Sequence, residues 1–281
     1  MNEMILTPER IALFETFLQE MERSAATIEK YLRDVRAFFN ETQETPLTKE
    51  KVIAYKQKLI ADGYAVRSVN SMLASLNSFF SFFGWEKLKV RMLKVQQEAF
   101  CPEEKELTRG EYERLCRAAE QKKNHRIALV LQTICSMGIR VGELQFITAE
   151  AVKRGQATVS LKGKTRTVFI PKDLRKKLQG YLHVCGITTG SVFITRTGKP
   201  MNRTNIWREM KNLCKAAGVD ERKVFPHNLR HLFARIFYGL EKDIVKLADI
   251  LGHSSINTTR IYIISTGTEH RKRIDAMHLI I

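Results

Sequence analysis

Six residues in this sequence could do chemistry together: Arg140, Lys162, His227, Arg230, His253 and Tyr262. Two guanidiniums can clamp the non-bridging oxygens of a phosphate and stabilise charge that builds during its transfer. A tyrosine is a poor nucleophile until its proton is taken or its phenolate is stabilised, and a histidine can do the first. A lysine can protonate a departing oxygen. Phosphodiester transfer without a metal requires such a set. No acidic cluster has a metal-site pattern, so the arginines would supply the positive charge, and neither a metal nor another cofactor is expected.

Each piece alone has a plainer use. Arg140 lies in Gly138-Ile139-Arg140-Val141-Gly142-Glu143-Leu144, where Arg140 and Glu143 could be a surface ion pair at a helix end. His227 and Arg230 in His227-Asn228-Leu229-Arg230-His231 are i, i+3 partners and could be an ordinary polar helix face. His253 follows Gly252 at a helix end, and a lone histidine there is usually structural. A lone tyrosine such as Tyr262 is most often a core or interface residue.

The elements that must position these groups are mostly helical. Thr7 with Pro8 starts a first helix, with Ile11, Phe14, Phe17, Leu18 and Met21 as its apolar stripe. A second follows Ser24, Thr48 caps a third, and a fourth runs from about 67 to 83. The other face of that fourth helix, Arg67, Ser68, Asn70, Ser71, Ser75 and Ser78, could meet a DNA backbone or simply face water. Gly84 ends the bundle, and a basic stretch to Glu106 reads as an extended linker. Thr108-Arg109-Gly110-Glu111 fits a capping box that opens a new domain. The period then changes: two β-branched runs, 157–161 and 165–170, flank Lys162-Gly163-Lys164 and predict a β-hairpin. Helices return at about 172–184, 204–217, 227–239, 243–251 and 255–263, with a last one over 268–278. The fold class is mostly α with a small antiparallel β element (α+β): residues 1–85 form a helical domain, 86–106 a basic linker and 107–281 a second domain.

Composition narrows the function. The chain has 281 residues and a net charge of +17, which favours a polyanionic partner, nucleic acid first and an anionic membrane surface second. No basic segment carries the aromatic apolar face that membrane docking needs, and no apolar run is long enough for a span. A soluble cytoplasmic protein is expected. The 5 cysteines have no zinc spacing and read as reduced, buried thiols.

At the six residues the chain resembles the tyrosine recombinase, or phage integrase, family, whose signature is Arg, Lys, His-x-x-Arg, His and Tyr in that order. The interval from His253 to Tyr262 is nine residues (262 − 253), and ILGHSSINTTRIY is similar to a string that many members carry. The resemblance covers nearly the whole chain, and its layout is nearest to Xer and simple transposon, integron or inversion recombinases, without an arm-binding domain before Thr7. It implies that the helical first part is a core-binding domain and the rest a catalytic domain, closing on double-stranded DNA. It implies that Tyr262 forms a 3′-phosphotyrosyl link, Arg140 and Arg230 hold the phosphate, and Lys162 protonates the 5′ leaving group. His227 would assist proton transfer at the tyrosine, His253 would hydrogen-bond the phosphate, and Glu143 would position the arginine side. A homo-oligomer is implied, a tetramer in the synapse, with a second recombinase or accessory proteins as further partners. The tail Leu279-Ile280-Ile281 would pack on a neighbour.

Some positions depart from the family's pattern. The hairpin is short, so Lys164 competes with Lys162 for the lysine role, and Leu-Lys-Gly stands where many members have Gly-Lys-Gly. Ile264 stands where many have His, and Leu-Phe-Ala-Arg, ending at Arg235, replaces Thr-Phe-Ala-Thr. These argue against a standard chromosome-dimer-resolving Xer protein. A type IB topoisomerase shares the chemistry but not the small N-terminal bundle. A non-enzymatic DNA-binding regulator would not need the tyrosine at that spacing, and no RNA-binding module is visible.

Overall fold

The computed structural model describes residues 4–43, 45–95, 103–161, 164–263, 271 and 274–277. The chain divides into two compact units, Met1–Gln97 and Glu98–Ile281.

The first unit is a helical bundle whose starts follow the capping residues. Thr7, Ser24 and Thr48 each accept a backbone N–H three residues on, opening α1 (Pro8–Glu20), α2 (Ala25–Thr42) and α3 (Lys49–Ala61). α4 (Val66–Phe82) follows. Their apolar faces meet in a core that includes Phe14, Val35, Phe38, Val52, Phe79 and Phe80. Met21 caps the C-terminus of α1 and is 51% exposed, because the helix has ended before it can turn that side chain inward.

Part of the polar face of α4 serves the fold. Ser75 is fully buried and donates to Asp34 Oδ2 at 2.9 Å, and the Lys30 ammonium reaches the same carboxylate oxygen at 2.9 Å. Asn70 exchanges hydrogen bonds with the backbone of Leu93, and Asn77 with that of Val90. These amides hold the segment after Trp85 on the first unit, so Leu88 and Val90 are buried where an extended linker was expected.

The second unit opens with the capping box of Thr108 and Glu111 on α5 (Arg109–Gln121). Its main core forms around α6 (His125–Met137), where Ile127, Val130, Leu131 and Ile134 are all buried. α6 ends at Gly138 with φ +61°, and a Cβ there would lie 2.3 Å from Phe233 Cδ1, so this position needs glycine twice over. A 3-10 turn, Val141–Phe146, and α7 (Ala149–Arg154) lead to the hairpin. Its strands, β1 (Gln156–Leu161) and β2 (Lys164–Phe169), pair antiparallel with Val159 opposite Arg166. Lys162 and Gly163 lie outside the described residues.

After α8 (Lys172–Cys185), the single helix expected at 204–217 is two, α9 (Arg203–Lys211) and α10 (Cys214–Ala217), and the break lets Leu213 and Cys214 enter the core. Then come α11 (Pro226–Glu241), α12 (Ile244–Leu251) and α13 (Ile256–Arg260). The helix expected at 268–278 falls mostly outside the described residues, as does the Leu279–Ile281 tail. Cys135 and Cys214 are buried, but Cys185 ends α8 and is exposed, contrary to the expectation of buried thiols. Among the described residues, no helix is long and apolar enough to cross a membrane.

Candidate active site

Arg140 leaves α6 just after Gly138 with extended backbone, and the 3-10 turn brings Glu143 back beneath it. Glu143 Oε2 accepts the Arg140 backbone N–H at 2.7 Å, and Oε1 accepts from Arg140 Nη1 at 3.2 Å. This carboxylate has no exposed surface. A second guanidinium, from Arg166 on β2, meets both oxygens, Nη1 to Oε1 at 2.6 Å and Nη2 to Oε2 at 3.0 Å. Burial pushes the Glu143 pKa up, but the Arg166 hydrogen bonds, the Arg140 N–H and both positive charges outweigh it, and the net shift is downward. Glu143 is therefore ionised at neutral pH.

Pro226 opens α11, so His227 and Arg230 emerge in its first turns. Arg230 is 1% exposed. It donates to the Gly138 and Leu251 carbonyls, each at 2.8 Å, and reaches His253 Nε2 at 2.9 Å. An arginine can only donate, so Nε2 of His253 accepts and its proton sits on Nδ1, which donates to Thr259 Oγ1 at 2.8 Å. Thr259 is fully buried on α13, and Gly252, at φ +65°, sets the turn that delivers His253. Burial first, then the charge of Arg140, lowers the Arg230 pKa to about 10, still cationic at neutral pH. Burial and the nearby arginines lower that of His253 to about 4, so its imidazole is neutral.

Tyr262 follows α13 in a small apolar cluster with Ala234, Leu247 and Leu251, and is 6% exposed. Its ring lies 5.2 Å from that of His227, 5.1 Å from that of His253 and 5.8 Å from the Arg230 guanidinium carbon. His227 opens to solvent, yet lost hydration and then the charges of Arg230, Arg140 and Arg203 hold its pKa below the ordinary value. It too is available as a neutral base.

Four residues expected at one site, His227, Arg230, His253 and Tyr262, thus form one cluster. Arg140 is tied to it through the Gly138 turn and Glu143. Lys162 falls outside the described residues. Two further residues belong to the cluster. His231 stacks on Tyr262, and its place four residues after His227, on the same helix face, is a signal for it. Arg166 shares a strand face with Val168 and Ile170, both 5% exposed, so a charge at an inward position of the alternating pattern marks it. An arginine, a tyrosine and neutral imidazoles gathered this closely suit the transfer of a phosphoryl group onto a phenolic oxygen.

The second unit matches the description "Phage integrase family" over residues 105–269, and residues 11–87 match "Phage integrase, N-terminal SAM-like domain". The chain is similar to a tyrosine recombinase XerA of Pyrococcus furiosus, 28% identical with 100% of this chain and 98% of that protein covered. It is also similar to a tyrosine recombinase XerD of Vibrio cholerae, at 27% identity with 97% of each covered. Among solved structures it resembles a lambda integrase tetramer bound to a Holliday junction. The TM-score is 0.75 at 19% identity, over 93% of this chain and 78% of that one.

Proposed function

From the premise that this chain belongs to the phage integrase family and is a tyrosine-type site-specific DNA recombinase, we propose that Tyr262 is its nucleophile and that Arg140, Lys162, His227, Arg230 and His253 complete the catalytic set. The observation that carries this reading is the gathering of His227, Arg230 and His253 around the Tyr262 ring. Tyr262 Oη attacks a DNA phosphorus. A phenolic oxygen–phosphorus bond forms, the bond from phosphorus to the 5′ oxygen breaks, and a 3′-phosphotyrosyl link results. The phenolic proton passes to His227, and Lys162 gives a proton to the departing 5′ oxygen. Arg140 and Arg230 stabilise the charge on the non-bridging oxygens, and His253 hydrogen-bonds the same phosphate through Nε2, in the tautomer that carries its proton there. A 5′-hydroxyl from a partner strand reverses the step. The number of phosphodiester-type bonds is conserved throughout, so no nucleotide hydrolysis is needed.

Double-stranded DNA is the substrate in this reading, which the net charge of +17 and the DNA-bound relatives support. Copies of the chain act together on two duplexes, a reading that the lambda integrase tetramer bound to a Holliday junction supports. A second recombinase or accessory proteins would join them to set the outcome, and the reaction is placed in the cytoplasm. Residues 86–106 are proposed to connect a core-binding domain to the catalytic domain.

Covalent trapping tests the assignment. The protein is incubated with a library of nicked duplexes and resolved on a denaturing gel. Wild type should give a DNA adduct, and Tyr262→Phe should bind DNA normally and give none. An adduct that persists in Tyr262→Phe would assign the nucleophile elsewhere.

A further inference from the structure

Arg166 is the least expected member of the site. It sits on β2 with its side chain 16% exposed. Its two terminal nitrogens take both oxygens of the buried Glu143, and its Nε donates to the Ile250 carbonyl at 3.1 Å. A Cβ on Gly252 would lie 2.9 Å from Arg166 Cδ, so the arginine stem runs against the turn that delivers His253. The next carbonyl, that of Leu251, is held by Arg230 at 2.8 Å. Two successive carbonyls at the end of α12 are thus held by two arginines from different elements.

The division of Glu143 between its partners matters as much. Arg166 approaches it through two bonds, one from each terminal nitrogen to each oxygen, the pairing that a carboxylate and a guanidinium prefer. Arg140 makes one side-chain contact with it, at 3.2 Å, and its own side chain is 35% exposed. With Arg166 balancing the buried carboxylate, the Arg140 side chain is oriented by one contact, and among the described residues its other guanidinium N–H donors have no partner.

We propose that Arg166 is a positioning residue for strand cleavage, fixing Arg140 through Glu143 and the His253 turn through Ile250 in the relation that the scissile phosphate requires. The proposal rests on the assignment of Arg140 and His253 to that phosphate. Arg166 itself does not touch the DNA. A lysine in its place would keep the charge but could not make the bidentate pair and the Ile250 bond at once.

The test uses the full-length chain and a nicked duplex whose sequence is recovered from DNA trapped by the wild-type protein. Recovery of that adduct separates a failure of the underlying assignment from a failure of this one. Arg166→Gln should slow adduct formation by about 100-fold, the scale of losing a transition-state donor, with DNA affinity at the wild-type value. Arg166→Lys should restore only a minor part of the rate. The decisive readout is a duplex with a methylphosphonate at the scissile position. One anionic oxygen is absent there, the arginines have less charge to hold, and the deficit of Arg166→Gln relative to wild type should shrink several-fold. Should Arg166→Gln fail to fold for want of a partner to the buried carboxylate, Arg166→Lys keeps that charge balanced without the bidentate pair and carries both readouts. Wild-type cleavage by the variant, or an equal deficit on both substrates, would overturn the proposal.

Discussion

The imidazole of His231 lies flat on the phenol ring of Tyr262, with centroids 4.1 Å apart and planes 16° from parallel. His227 meets His231 edge-on at 4.7 Å. Burial, then the charges of His227, Arg230 and Arg235, holds the His231 pKa down at about 3, so its ring is neutral at working pH. It serves as a platform that limits the orientations of the phenol. His231→Phe keeps a flat partner and should cleave near the wild-type rate. His231→Ala should lose about tenfold, the rate equivalent of one aromatic contact. Single-turnover cleavage of a nicked duplex checks this, and equal losses in both variants would make the imidazole nitrogens the relevant feature.

Gly138 joins the core to the chemistry. Its φ of +61° disfavours any side chain, a Cβ would overlap Phe233, and its carbonyl accepts from Arg230. Gly138→Ala should therefore cost about 1–3 kcal/mol of stability through strain and overpacking. It should also slow cleavage by displacing Arg230. Urea unfolding and trapping rates measure the two effects, and a variant with wild-type values for both would remove the constraint.

Three histidines make the fold acid-sensitive: His227, held below its ordinary value, and two that lie further down. In the folded chain the pKa values of His231 and His253 lie at about 3 and about 4, against an ordinary 6.5. Between those values and 6.5 the unfolded chain binds more protons than the folded one, so stability rises with pH there and falls on acidification. Melting temperature should thus decline from pH 6.5 towards 4, and less steeply in His231→Phe than in wild type. An equal slope in the two proteins would assign the sensitivity to other groups.

In the first unit, Asp34 is 2% exposed and serves Lys30 and Ser75 together. Asp34→Ala should destabilise the protein by about 1–3 kcal/mol, because it takes the carboxylate from Lys30 and leaves the buried Ser75 hydroxyl only the longer bond to the Ser71 carbonyl, at 3.4 Å. Additional loss of Ser75 in Asp34→Ala/Ser75→Ala should recover part of that, as a double-mutant cycle in urea would reveal.

Much of this organisation was legible in the sequence. Thr7, Ser24, Thr48 and Thr108 mark helix starts because a cap is a local contact between a side chain and a backbone three residues away. The His227–Arg230 pair is legible for the same reason. Contacts distant in sequence were not. Ser75 reads as a solvent-facing residue until α2 places Asp34 against it, 41 positions away. Arg166 reads as one more cation of a basic chain until Glu143, 23 residues earlier, turns towards it. The linker reading missed Asn70 and Asn77, whose amides pair with backbone that periodicity does not describe.

The buried Glu143 carries one further consequence. Three guanidiniums, those of Arg140, Arg166 and Arg230, share its neighbourhood, and their mutual repulsion contributes to the lowered Arg230 pKa. One carboxylate cannot neutralise three cations. Under the proposed assignment, the scissile phosphate is then a counter-ion of the folded protein as well as its substrate. Engaging DNA would relieve a repulsion built into the free chain, and the catalytic unit should be more resistant to heat on its DNA than off it.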